Sequence, residues 1–199
     1  MSDDWQLYDA AGRRKYLTAA EQARFLDACL NAPSPEQGLG LLLLFSGCRI
    51  SEALALRPSH IDREAGNVVL RTLKRRGGVV RYRAVPVPMA IWGGARECVA
   101  QGRCCEDRLI WPWSRTTGWR RIKALMARAG IVGPQASPKG LRHGMAITAL
   151  ANGVPLTQVR KWLGHASLRS TAVYTEASGP EERAFAERYW QGVHPGWGA

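Results

Sequence analysis

Between Pro35 and Gly47 the chain carries its most apolar stretch, Leu39-Gly-Leu-Leu-Leu-Leu-Phe45. Ser34-Pro35-Glu36-Gln37 ahead of it reads as a helix start with proline at the first helical position, and Gly47 interrupts it. A helix that is apolar on most of its faces has no side to give to water. The rest of the chain must wrap around it, so this segment is expected to be central and buried. It is far too short to span a bilayer, which takes about 20 apolar residues. A chain of 199 residues, 46% of them hydrophobic, can supply that wrapping as one domain. Its first residues, Met1-Ser-Asp-Asp-Trp5, are acidic where a secretory leader would be basic and then apolar, and a soluble cytoplasmic protein is expected.

The neighbouring segments fit such a wrapping. Thr18-Ala-Ala-Glu21 is a capping box that opens a helix running to about Asn31, with Phe25, Leu26 and Leu30 as its apolar face. Residues 49–56 read as a helical stretch stopped by Pro58. The period then shortens. Residues 68–70 and 79–87 read as strands flanking a turn at Gly77-Gly78, an antiparallel hairpin. Helices are expected around residues 90–101, over 117–129, from Ser137-Pro138 to Asn152-Gly153, over 156–163 and 168–175, and from 180 to about 190. The fold class is α+β, mostly helical with one small antiparallel sheet.

Charge is segregated along this chain. The net charge is +12, and residues 71–174 hold 19 basic side chains against only three acidic ones, Glu97, Glu106 and Asp107. A stretch so poor in carboxylates cannot neutralise itself locally and calls for an external polyanion, a nucleic-acid backbone foremost. The charges are spread over several elements, which disfavours a membrane-surface helix. The five cysteines (Cys29, Cys48, Cys98, Cys104, Cys105) are odd in number, include an adjacent pair and form no C-x-x-C. That argues against a disulfide framework and a zinc site.

Three clusters carry chemistry. Arg49 follows the apolar run in Gly47-Cys-Arg-Ile-Ser-Glu52, and a guanidinium so placed needs an anion. That anion is either Glu52, three residues on, or something external. Lys139 and Arg142 stand three apart at the start of one helix, a place suited to a phosphate, while the adjacent His143 is expected to pack and hydrogen-bond. Tyr174 lies nine residues after His165 in a polar, small-residue helix. It is either a packing residue or, with cations around it, a phenol biased toward phenolate.

Over residues 17–175 the chain resembles the catalytic domain of the tyrosine recombinase (phage integrase) family. The matching segments are Gly47-Cys-Arg49-Ile-Ser-Glu52-Ala-Leu, Leu141-Arg142-His143-Gly, Leu163-Gly164-His165 and Ala172-Val-Tyr174-Thr, with 32 residues from Arg142 to Tyr174. The resemblance implies that Arg49 and Arg142 clamp a scissile phosphate of double-stranded DNA. Tyr174 would attack in line, leaving a 3′-phosphotyrosyl enzyme and a free 5′-hydroxyl. His165 would hydrogen-bond the phosphate, and the family's strand-turn lysine, a general acid, maps onto Lys74. The covalent intermediate conserves the bond energy, so no cofactor or metal is expected. Arg75, Arg76, Arg81, Arg120, Arg121 and Lys123 are the expected DNA contacts.

The match departs from the family in two places. Lys139 stands where the second box usually begins with histidine; it can donate to a phosphate but is no base near neutral pH unless its pKa is strongly lowered. Ahead of the catalytic-type domain, residues 1–16 would form only a short arm where most of the family carries a helical core-binding domain, a size similar to the short invertases that switch fimbrial expression. An accessory DNA-binding protein, or self-association on DNA through the helix near 180–190, would make up the lost affinity. The competing expectations are a type IB topoisomerase-like enzyme and a DNA-binding regulator without catalysis.

Overall fold

The computed structural model describes residues 6–72, 81–92 and 108–176, together with Ala186. The apolar run forms α2 (Ser34–Ser46), with Leu39 and Leu41 through Leu44 all buried. Helix α1 (Ala19–Leu30) packs on it and opens with the expected capping box: Glu21 N donates to Thr18 Oγ1 at 3.3 Å, and Thr18 N donates to Glu21 Oε2 at 3.0 Å. Pro33 rather than Ser34 caps α2, without a side-chain bond, so Ser34 already lies in the first turn.

After α3 (Ile50–Leu54) and a 3-10 turn at Pro58–His60 comes a three-stranded antiparallel sheet: β1 (Ile61–Asp62), β2 (Asn67–Thr72) and β3 (Arg81–Pro86). The two-residue β1 is too short to leave a period in the sequence, and it went unexpected. Val68 faces Val85 and Leu70 faces Arg83 across the β2–β3 ladder, and these four are the buried positions. The turn with Lys74, Arg75 and Arg76 lies outside the described residues, as do most of the helix expected at 90–101 and all but Ala186 of that expected at 180–190. A 3-10 turn, Met89–Trp92, marks the start of the former.

The remaining helices are α4 (Arg115–Arg128), α5 (Pro138–Ala151), α6 (Leu156–Leu163) and α7 (Arg169–Ala172), followed by a 3-10 turn, Val173–Glu176. Ser114 and Ser137 cap α4 and α5 by accepting the N–H of Thr117 and Gly140, both at 3.1 Å. None of the described helices is long and apolar enough to cross a membrane.

Two apolar clusters result. The larger surrounds α2; the smaller holds Leu7, Tyr16, Met145, Ile147, Val159, Leu163 and Tyr174. The segment expected as an N-terminal arm is thus packed, through Leu7 and Tyr16, into the smaller cluster. Helix α5 bridges the two, placing Leu141 in the first and Met145, Ala146 and Ile147 in the second. Its approach to the preceding loop is close: a β-carbon on Gly140 would lie 1.8 Å from the Gln135 carbonyl oxygen. Gly140→Ala is expected to destabilise the fold by about 3 kcal/mol, read from urea unfolding. A loss within about 0.5 kcal/mol would mean that the loop gives way freely.

Candidate active site

The site is built where two helices end. Helix α2 stops at Gly47 (φ +58°) and α6 at Gly164 (φ +68°), left-handed positions that strain any residue with a side chain. Close packing reinforces the choice, since a β-carbon at Gly47 would meet Leu163 at 3.0 Å and one at Gly164 would meet the Arg83 guanidinium at 3.0 Å. The last carbonyls of a helix lack partners and carry partial negative charge. Two buried arginines supply those partners. Arg142, from α5, donates through Nη1 to Gly47 O at 2.7 Å and through Nη2 to Leu163 O at 2.8 Å. Arg83, from β3, donates through Nε to Trp162 O at 2.7 Å.

Arg83 also reaches Glu52, with Nη2 to Oε2 at 2.7 Å and Nη1 to Oε1 at 3.3 Å. Arg49 shares that carboxylate: its Nη1 donates to Oε1 at 3.0 Å and its backbone N–H to Oε2 at 2.9 Å. The internal pair weighed for Arg49 is therefore formed, yet it leaves the charges unbalanced. Two guanidiniums bond one carboxylate that is 1% exposed, and a third, Arg142, stands within electrostatic reach of it. Burial would raise the Glu52 pKa, but hydrogen bonds and charge from Arg83, with help from Arg49, hold it below the usual range. Burial draws Arg142 down to about 10, Arg49's charge adding to the effect, while an anionic Tyr174 and Glu52 oppose it.

The excess charge faces an opening. A cleft of about 370 Å³ is lined by Arg49, Arg115, Trp119, Lys139, Arg142 and His143 among others, and none of the described residues lining it is a carboxylate. Arginine has five N–H donors, of which the helix-end carbonyls take two from Arg142. The rest suit a tetrahedral oxyanion, which the guanidinium fork binds in bidentate fashion.

Tyr174 sits at the back of this cationic cluster. It is 3% exposed, and its hydroxyl is 3.1 Å from His143 Nδ1. The Tyr174 ring is stacked against His165 at 6.1 Å and tilted against His143 at 5.5 Å. His165 Nδ1 meets Thr171 Oγ1 at 2.9 Å. Burial, followed by the charges of Arg142 and Arg49, pushes the His165 pKa down to about 2, so it stays a neutral imidazole. Polar neighbours had set Tyr174 apart from a core, but the short α7 leaves Arg169 exposed while Thr171 turns inward, and Tyr174 itself packs among Met145, Ile147, Val159 and Leu163.

Five residues singled out in the sequence therefore converge: Arg49, Lys139 and Arg142 on the cleft, with Tyr174 and His165 beside it. Lys74 lies outside the described residues. Of the expected DNA contacts that are described, Arg81 and Arg120 are exposed. Arg121 pairs with Glu36 and stands over the Trp113 ring, and Lys123 donates to Ala136 O at 2.9 Å. The basic stretch thus finds two of its counter-ions, Glu36 and Glu52, in the first 70 residues, beyond reach of any local charge count.

Glu52→Gln should reveal how much that carboxylate holds together. With three guanidiniums and no counter-ion, stability at neutral pH is expected to fall by about 3 kcal/mol. Because the folded pKa is depressed, the carboxylate's contribution is present above its unfolded value near 4.3 and lost as pH falls through the folded one. Urea midpoints from pH 7 to pH 3 would show the variant's acid limb flattened; an unchanged limb would deny Glu52 this role.

A sequence model of the phage integrase family matches residues 15–180. The chain belongs to that family. It is 29% identical over 176 residues to the tyrosine recombinase XerA of Thermococcus onnurineus, covering 82% of this chain and 58% of that protein. A crystal structure of XerA recombinase superposes with a TM-score of 0.72 at 22% identity, over 87% of this chain and 62% of that one. XerH site-specific recombinase bound to its difH substrate in a pre-cleavage complex gives 0.70 at 19% identity, over 90% and 58%. These likenesses match the helical, small-sheet architecture of the phage integrase family member described here. The chain spans somewhat over half the length of the relatives it matches.

Proposed function

We propose that this phage integrase family member is a site-specific recombinase that cleaves and rejoins double-stranded DNA through a 3′-phosphotyrosyl intermediate. The observation that carries the proposal is the cluster of three guanidiniums around one carboxylate, opening on a cleft beside Tyr174. Phosphoryl transfer asks a protein mainly for position and charge. Arg49 and Arg142 hold the non-bridging oxygens, Lys139 adds a donor at the same phosphate, and neutral His165 adds another. Tyr174 Oη forms the bond to phosphorus while the bond to the 5′ oxygen breaks. Lys74 is the candidate donor to that oxygen, by family resemblance. Arg75, Arg76, Arg81 and Arg120, with Arg121 and Lys123 once their present partners yield, follow the backbone outside the cleft. The DNA-bound XerH structure supports the choice of ligand. Self-association on the DNA, an accessory DNA-binding protein and residence with the cell's DNA in the cytoplasm belong to the same proposal.

The test is covalent capture. Protein mixed at low salt with fragmented, nicked DNA from its own host or replicon is denatured, and the DNA that remains attached is sequenced. Adducts are expected, with the phosphate located on Tyr174 by mass spectrometry and the DNA ends giving the target site. DNA that is retained but never becomes covalent would favour a regulator without catalysis.

A further inference from the structure

We propose that His143 is the general base that takes the phenolic proton of Tyr174. The inference rests on the strand-cleavage reading above and adds a step that the sequence did not assign, since His143 was expected to pack and hydrogen-bond. The cleft residue that could otherwise do this work, Lys139, carries a side chain whose ordinary form offers three donors and no acceptor. Both of the other cleft cations that approach the phosphate position, Arg49 and Arg142, are guanidiniums and share that defect. His165 faces Tyr174 as a stacked ring, with Nδ1 engaged by Thr171. His143 alone among these places a ring nitrogen at hydrogen-bond distance, 3.1 Å, from the hydroxyl oxygen that must attack.

The site holds this contact firmly. His143 is 1% exposed, one residue beyond Arg142 on α5, so the helix that places the guanidinium on the two carbonyls also places the imidazole on the phenol. The two rings are tilted, with centroids 5.5 Å apart, and in the tautomer that carries its proton on Nε2, Nδ1 accepts from the phenol. The proton moves from Tyr174 Oη to His143 Nδ1 as the Oη–phosphorus bond forms. The phosphorus–O5′ bond breaks, and the leaving oxygen takes its proton from the general acid, for which Lys74 is the candidate by family resemblance. In the reverse step His143 returns the proton to Tyr174 when the 5′-hydroxyl attacks.

The experiment uses two variants and an unnatural nucleophile. His143→Asn keeps a polar atom near the Nδ1 position without a basic nitrogen, and His143→Ala removes the contact. Single-turnover cleavage of the nicked DNA captured above is expected to fall about 100-fold to 1,000-fold in both, with DNA retention unchanged. Replacing Tyr174 by difluorotyrosine, whose phenol ionises near neutral pH, should restore most of that rate in His143→Asn. A rate in His143→Asn within about threefold of the parent, or a loss that difluorotyrosine leaves in place, would overturn the proposal.

A measurement on the free protein separates this from failure of the cleavage reading. In protein labelled with nitrogen-15 at histidine, Tyr174→Phe should shift the Nδ1 resonance of one buried histidine, and His143→Asn should remove that resonance. If no histidine responds, the contact is absent in solution and the proposal falls, whatever DNA is or is not captured. If the histidine responds while the parent protein captures no DNA, the strand-cleavage reading has failed and takes the base role with it.

Discussion

Tyr174→Phe is expected to abolish covalent capture, lowering adduct formation by at least about 10⁴-fold, while leaving DNA retention at low salt within about twofold of the parent. The two halves of that result follow from different atoms. The nucleophilic oxygen is lost, and nothing else in the cleft offers one at the same place. The three guanidiniums, which would supply charge for the phosphate, keep their own partners: Gly47 O, Leu163 O, Trp162 O and Glu52. Stability should change little. The phenyl ring fills the same space among Met145, Val159 and Leu163, and the bond to His143 that goes is worth about 1 kcal/mol. Capture followed by denaturing gels, with filter retention alongside, reads both halves. Adducts that persist in the phenylalanine variant would place the nucleophile elsewhere in the chain.

How legible these features were in the sequence depends on the range of the interactions behind them. Local signals read well. Thr18 and Ser137 both cap helices, and the glycine stop at Gly47 stands where it was expected, because a cap is decided by residues within four positions of each other. Arg83 did not read at all. Counted with the basic stretch, it looked like one more surface charge, although its place two residues before Val85 puts it in phase with the buried face of β3. That alternation was the available signal. What the sequence could not supply was the carboxylate 31 residues earlier that makes burial tolerable. His143 read in part: it packs and hydrogen-bonds as expected, but only the fold brings its partner, Tyr174, to its ring from 31 positions downstream.

The family segments were legible as a set, and the structure explains why they recur together. Gly47 and Leu163 lie far apart in the chain, but both are bonded by the single Arg142 side chain. The glycines that end α2 and α6 are therefore part of the proposed phosphate site, since a different backbone turn at either would move a carbonyl that aims the guanidinium. Separating that aim from simple charge is the purpose of the second large prediction.

Arg142→Lys is expected to reduce single-turnover cleavage by about 10³-fold while lowering low-salt DNA affinity by no more than about threefold. Lysine preserves the positive charge, so the long-range attraction for a polyanion survives. It cannot preserve the geometry. One ammonium on a flexible stem cannot donate to Gly47 O and Leu163 O at once and still present a planar pair of N–H groups to a phosphate. Losing one charged hydrogen bond to a buried carbonyl should also cost about 2 kcal/mol of stability, visible in urea unfolding of the same preparation. Comparison with Arg49→Lys sharpens the outcome. Arg49 is partly exposed and braced by Glu52 through one side-chain bond, so its replacement should be the milder of the two in stability, though not in cleavage. If Arg142→Lys cleaves within about threefold of the parent, the oriented fork is irrelevant and charge alone carries the phosphate. If affinity falls together with cleavage, Arg142 acts in holding the DNA rather than in the step that breaks it.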